Sequence, residues 1–366
     1  MQIVNSESFL LRVPIGKEIA DSMQSVTHLE FAGLVVHTDA GISGTGYTVT
    51  VGHGGSVIQH ALDSLFLDDL IGRDPAHVRE IWNDLYFGKS HWIGRAGATT
   101  MAQSAVDIAL WDIAAKSAGE PLWRLLGGAR AEDVPIYNTH AGWLNYSVGQ
   151  LRDEALALLD QGYTALKMKV GRPDAGEDAR RVEAVRKAIG DEVLLMADAN
   201  QKWDLQHASQ AARLLEPFRL GWLEEPMHPD DVRAHVRLAG RTRIPIALGE
   251  HVYSTHAFRD FIEGGGVEVV QVDVCRIGGI TPWLQVAALA EAFGLRVCPH
   301  CGDLMQVHQH LVKSIPNSWM LEVIPLWEAG PFEQQIRLED GKCLSPLDPG
   351  ASTTFTARAF EEFRVA

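Results

Sequence analysis

ALKMKV (165–170), LLMADAN (194–200), WLEEP (222–226) and IALGE (246–250) are four short runs that decide the fold. Each is rich in residues that favour strands, and each closes on charged or amide side chains. The same kind of run recurs upstream as PIYNTHA (135–141) and downstream as VVQVDV (269–274), RVCPHC (296–301) and WMLEV (319–323). The spacing is roughly 23 to 30 residues, and helical periodicity fills the gaps, as in 178–189 and 206–215, so the repeat is a βα unit. Eight such units imply a closed parallel barrel, whose reactive side chains lie at the C-terminal ends of the strands.

Outward from the barrel, the first 60 residues read as strands, with a hairpin formed by 31–37 and 47–51 around the turn residues Asp39, Gly41, Gly44 and Gly46. Residues 100–126 are helical, with Ala105, Ile108, Ala109, Trp111 and Ile113 supplying a broad apolar face and Gly119-Glu120-Pro121 a stop. The expected organisation is an α+β capping domain over 1–128, a barrel over 129–330, and a segment 331–366 that returns to the cap.

The 366-residue length accommodates both parts, with 46% hydrophobic and 22% charged residues. No apolar run approaches the roughly 20 residues of a membrane helix, and the N-terminus lacks a signal-peptide pattern, so the expectation is a cytoplasmic protein with no membrane partner. A net charge of −15 without a basic run argues against nucleic acid. Four cysteines in so long a chain do not make a disulfide framework.

The polar residues at the strand ends carry the chemistry. Asp198, Glu224 and Glu250 end the third, fourth and fifth strands, so the fold gathers three carboxylates at one mouth. Converging anions repel unless a cation holds them, and an all-oxygen set favours a hard divalent ion, Mg²⁺ above all. Lys167 and Lys169, two apart on a strand, share a face with Cα atoms roughly 6.6 Å apart. That face is the barrel interior, because Leu166, Met168 and Val170 suit the helix layer. Burial and mutual repulsion are expected to push the lysines down toward the range of a general base. Asp273 and His300 end neighbouring strands, where an Asp–imidazole bond would fix the tautomer and raise the basicity of the histidine. Glu322, ending the eighth strand, would hydrogen-bond a substrate carboxylate if burial kept it protonated.

These parts suit abstraction of a proton next to a carboxylate. A cation stabilises the dianion that forms, a base works on one face and an acid on the other. With a β-hydroxyl present, His300 protonates it as it leaves and a 2-keto acid results. Without a leaving group, the same pair racemises or epimerises the carbon.

The ordered set Lys167-Met168-Lys169, Asp198-Ala199-Asn200, Glu224-Glu225-Pro226, Gly249-Glu250, Asp273 and His300, with the helical run 105–128, resembles the mandelate racemase branch of the enolase superfamily over nearly the whole chain. The resemblance implies a modified (β/α)7β TIM barrel with an N-terminal α+β capping domain completed by the C-terminal tail. It implies Lys169 as base, Lys167 as its modulator, Asp198, Glu224 and Glu250 as Mg²⁺ ligands, Asp273–His300 as the second acid/base dyad and Glu322 as the carboxylate-binding acid. The muconate-lactonising branch would place a lysine near Asp273. DVCRIGGITPWLQ (273–285) is most similar to galactarate/talarate dehydratases, which implies an acid-sugar substrate and dehydration to a 2-keto-3-deoxy acid, with racemisation or epimerisation as the alternative. Homo-oligomers are also implied. Specificity is expected from cap segments 14–28 and 52–56, with Lys17, Met23 and His28 as candidates, and from Asn200, His140 and Trp143 in the barrel.

Cys298-Pro299-His300-Cys301 also resembles the C-x-x-C of thiol–disulfide oxidoreductases. It lacks a thioredoxin-sized setting, and the barrel pattern already uses His300. A zinc site adding His308 and His310 would not be a standard ligand set. The glycines of 41–46 and 52–55 lack the strand–turn–helix context of a phosphate loop and read as turns.

Overall fold

The computed structural model describes residues 1–365. Three antiparallel strands open the chain, β1 (Ile3–Ala20), β2 (Ser25–Thr38) and β3 (Ser43–Val51), in spatial order β1-β2-β3. The expected hairpin is β2–β3. β1 is an 18-residue strand whose length the sequence pattern hides, since Pro14 and Gly16 interrupt it. Both are tolerated because β1 is an edge strand, where Pro14 owes no ladder bond on its free side, and a bulge between Pro14 and Ile19 absorbs the irregularity. The segment 14–28, expected to set specificity, is mostly strand, and only the turn at 21–24 separates β1 from β2.

The helix Ala98–Ala118 is buried on nearly every side because it lies between two layers. Ala105, Ala109 and Ile113 join the core under the cap sheet, whereas Ile108 and Ala115 join the larger core around the barrel. Contact with the sheet is so close that a Cβ on Gly46 would stand 1.9 Å from the carbonyl oxygen of Ala105. Backbone meets backbone there, with no flexible side chain to yield. Gly46→Ala is expected to lower stability by about 3 kcal/mol or to prevent folding, checked by urea unfolding. Nearby, buried Asp107 accepts bonds from the Thr281 amide (2.9 Å) and hydroxyl (2.7 Å), tying this helix to the barrel. Burial raises its carboxyl from 3.8 to about 7. The folded chain thus holds a proton that the unfolded chain has released, and this contribution to stability falls as pH rises from about 4 to about 7. Asp107→Asn is expected to flatten that part of the stability–pH curve by on the order of 3 kcal/mol, read from urea midpoints across the range.

Eight parallel strands form the barrel: β4 (Val134–Asn138), β5 (Ala165–Lys169), β6 (Leu194–Asp198), β7 (Leu223–Glu224), β8 (Ile246–Leu248), β9 (Val269–Val270), β10 (Arg296–Val297) and β11 (Leu321–Val323). Neighbours follow chain order, β11 pairs with β4, and a parallel bridge from Val297 to Ser318 closes the ring. A helix follows each of the first seven strands, from Val148–Asp160 to His308–Ser314, and β11 leads directly into the C-terminal segment. The barrel is therefore of the (β/α)7β kind. Ser147, Asp174, Asp204, Asp231 and Ser254 cap the N-termini of successive helices through side-chain oxygens. The C-terminal segment divides. Lys342–Cys343 pairs antiparallel with the start of β4, whereas Phe355 packs on Phe9 and Phe31 and Arg364 bridges Leu11 on the cap sheet. No helix among the described residues is long and apolar enough to cross a membrane.

Candidate active site

Tyr137, Ala165, Met196, Trp222, Val269, Cys298 and Met320 fill the inside of the barrel as one packed layer. Two residues further along each strand the side chain again points inward, now at the C-terminal mouth. Those positions are Thr139, Lys167, Asp198, Glu224, Gln271, His300 and Glu322; Lys169 and Asp273 stand one step higher. β8 is the exception. Ala247 faces inward, yet Glu250, of opposite parity, also reaches the site, because Gly249 breaks the alternation with φ of 155°. A Cβ there would meet the carbonyl carbon of Gln271 at 2.5 Å.

Lys167 Nζ lies 2.7 Å from Glu224, 2.7 Å from Glu322 and 3.6 Å from Asp198. Lys169 Nζ contacts Asp198 at 2.5 Å and sits 5.5 Å from the ring of Trp143. Burial pulls both ammonium groups down, but Glu224 for Lys167 and Asp198 for Lys169 lead a set of carboxylates that holds them above the ordinary lysine range. The expected downward push from the lysine pair is thus outweighed in this state. Glu322 also departs from expectation. Burial favours its neutral form, yet Lys167, His300 and the Thr139 hydroxyl bring it to about 2, so it is an anion that also accepts from the Cys301 amide at 2.9 Å.

His300 Nδ1 donates to Asp273 Oδ2 at 2.8 Å, which leaves Nε2 on the cavity side, 2.5 Å from Glu250. Burial opposes the imidazolium, but Glu250 and Asp273 raise His300 well above its usual range. Burial and the neighbouring Asp198 push Glu224 up to about 8, while Trp222 Nε1 (3.0 Å) and Gln271 Nε2 (2.7 Å) clamp its second oxygen. The sequence does not single out Gln271 and Trp222, although each lies two residues from a carboxylate of the site on the same strand face. Glu225, which the sequence shows only as part of the Glu224-Glu225-Pro226 run, and His251 gain their partners only in the structure. His251 bridges Glu225 (3.0 Å) and Glu250 (3.3 Å) and is raised to about 10, the two carboxylates overcoming its burial.

The three carboxylates suit a hard cation. They are buried at adjacent strand ends, and lysine and imidazolium charge now balances them. Glu225, Glu250 and His251 also converge, with ligand atoms within 4.8 Å, and there His251 Nδ1 lies 3.0 Å from Glu225 and 3.3 Å from Glu250.

A cavity of about 540 Å³ lies between the mouth and the cap, lined by Lys169, Asn200, Glu250, His300, Glu322 and Trp143 among others. Met23 lines it too; Lys17, His28 and His140 do not. Lys17 stacks on Tyr146 at 4.1 Å. His28 stands on β2 with Nε2 buried. His140, lowered to about 4 by burial, accepts from Trp143 Nε1 at 3.0 Å and so orients the indole that faces the site.

Cys298 is packed in the barrel interior, and burial drives the thiols of Cys298 and Cys301 well above the ordinary range, against the thiolate a redox motif requires. His308 is bonded to Asp303 (2.7 Å) and the Val274 amide (3.1 Å), and His310 to the Trp123 amide (3.2 Å) and Ser352 (3.0 Å), which leaves neither for zinc. Cys298→Ala with Cys301→Ser is expected to keep most of the catalytic rate; complete loss, with the circular-dichroism spectrum unchanged, would restore the thiol reading.

Comparison with known proteins agrees with this geometry. Residues 7–127 match the mandelate racemase/muconate lactonizing enzyme N-terminal domain, and residues 150–359 match the enolase C-terminal domain-like family. The chain is 35% identical to a 3,6-anhydro-alpha-L-galactonate cycloisomerase of Streptomyces coelicolor, covering 93% of both chains. It is 36% identical to the L-talarate/galactarate dehydratase of Salmonella typhimurium, over 89% of this chain and 80% of that one. The crystal structure of a racemase from Streptomyces coelicolor with bound magnesium superposes with a TM-score of 0.93 at 34% identity, covering 99% of this chain and all of that one. The chain is an enzyme of the mandelate racemase/muconate lactonizing enzyme family, within the enolase superfamily.

Proposed function

We propose that the chain is an Mg²⁺-dependent acid-sugar dehydratase that converts its substrate to a 2-keto-3-deoxy acid. The observation that carries this reading is one cavity lined by both Lys169 and His300, an ammonium-bearing base and an imidazole locked by Asp273, beside three buried carboxylates. The names of the Salmonella and Streptomyces relatives, and the magnesium of the racemase structure, support the substrate class and the metal.

Asp198, Glu224 and Glu250 would hold the cation. When bound, it supplies Lewis-acid stabilisation of the dianion and withdraws carboxylate charge from Lys169, easing loss of that lysine's proton. Neutral Lys169 takes the proton from the carbon next to the substrate carboxylate. Lys167, pinned between Glu224 and Glu322, keeps fixed positive charge behind it. His300, protonated at Nε2 and oriented through Nδ1, gives its proton to the departing β-oxygen. The enol formed becomes the 2-keto acid. A ring ether oxygen on the β-carbon is an equivalent leaving group for these residues, a second reading favoured by the cycloisomerase relative.

Incubation with Mg²⁺ and a library of acid sugars in D₂O, following keto acid and α-deuteration together, tests the proposal. Keto acid from one or a few sugars establishes dehydration. Deuteration alone makes the chain an epimerase or racemase, and silence across the library defeats the reading.

A further inference from the structure

We propose that the substrate is a monocarboxylic acid sugar whose end remote from the carboxylate is uncharged and poor in hydroxyls. The inference deepens the proposed function and rests on it. The barrel side of the cavity supplies the reacting groups, so the remote end of a bound substrate lies under the cap. There the wall is made largely by Ile19, Val26, Leu29 and Val49, which present hydrocarbon. Gln24, Thr50 and His53 also line it and offer hydrogen bonds. No lysine or arginine of residues 1–128 lines the cavity. The charged carboxylate on that side is Asp21, at the β1–β2 turn, whose Oδ1 accepts from the amides of Met23 (2.7 Å) and Gln24 (2.9 Å) and is thereby fixed in place.

A second substrate carboxylate under this wall would meet Asp21 and apolar carbon without a fixed counter-charge. The cations elsewhere in the cavity are already committed. Lys169 and His300 serve the reaction, His251 bridges two glutamates, and Arg276 lies 3.8 Å from Asp273 with Nη1 3.2 Å from the sulfur of Met101. Hydroxyls beyond those that Gln24, Thr50 and His53 can reach would likewise be left unpaired against Val26 and Leu29, whereas a deoxy or anhydro carbon skeleton packs there.

The test compares six-carbon aldonates with the aldarates of the same configuration, and with their terminal deoxy analogues, as substrates for α-deuteration with Mg²⁺ in D₂O. The expected result is kcat/KM for an aldonate roughly tenfold or more above its matched aldarate, with no loss on terminal deoxygenation. Met23→Arg, placing a cation at the exposed rim of the cap, and Asp21→Asn are each expected to raise the aldarate-to-aldonate ratio by roughly tenfold. Equal or faster exchange of the aldarates in the unmodified protein overturns the inference and leaves the proposed function standing. Absence of exchange with every acid overturns both.

Discussion

Lys169→Ala is expected to abolish α-deuteration and keto-acid formation together, by roughly 10³-fold or more, whereas His300→Asn is expected to abolish keto acid while leaving measurable α-deuteration. The asymmetry follows from what each group touches. Lys169 is the base proposed for the proton next to the carboxylate, and Asp198 at 2.5 Å controls its proton affinity. Without it the first bond is not broken. In the proposed reaction His300 acts on the leaving oxygen through Nε2, and an asparagine there would still donate an amide N–H to Asp273 but hold no proton to give. Lys167→Ala removes positive charge from between Glu224 and Glu322, 2.7 Å from each, and so serves as the control for electrostatics without base chemistry. Equal loss of both products in His300→Asn would mean that the histidine, too, is needed for proton abstraction, and would move the assignment toward a two-base racemase. Both products are quantified from one ¹H NMR time course.

Most of this site is legible in the amino-acid sequence because a barrel converts spacing along the chain into position in space. Once β5 to β9 are recognised, alternation places Lys167, Lys169, Asp198, Glu224 and Asp273 at one mouth. The same rule puts Gln271 and Trp222 beside them, but neither side chain titrates, so nothing in their chemistry marks them out. Alternation fails for Glu250, whose inward turn depends on the backbone of Gly249. Protonation states are the least legible. Sequence neighbours suggest that the two lysines depress one another, but the carboxylates that outweigh this effect come from other strands. Glu322 reverses for the same reason, since Lys167 reaches it from β5. In the cap, side-chain identity alone makes Lys17 and His28 attractive. Lys17 instead stacks on Tyr146 and His28 stands on β2, and neither lines the cavity, while the strand ends deliver aliphatic residues to it.

Glu250→Gln is expected to abolish the rise in melting temperature that Mg²⁺ produces and to remove activity, while leaving the metal-free melting temperature close to that of the parent protein. A cation that binds only the folded chain stabilises it by RT ln(1 + [L]/Kd), about 2.7 kcal/mol at one hundred times Kd. Loss of one anionic ligand from a buried set of three costs most of that affinity, since the remaining charge no longer repays dehydration of the ion. Glu250 is the informative position among the three. Asp198 and Glu224 each accept a lysine ammonium directly, so an amide nitrogen at either site would face a cation and perturb the fold as well as the metal. An amide at Glu250 faces His300 and His251 instead, and both can lose their protons to accommodate it. His300 should then titrate lower than in the parent protein, because the carboxylate 2.5 Å from its Nε2 is the leading influence holding the imidazolium against burial. Calorimetric titration with Mg²⁺, thermal melts with and without the metal, and histidine NMR across pH separate the effects. An unchanged Mg²⁺ isotherm with lost activity would reassign Glu250 from metal ligand to partner of His300.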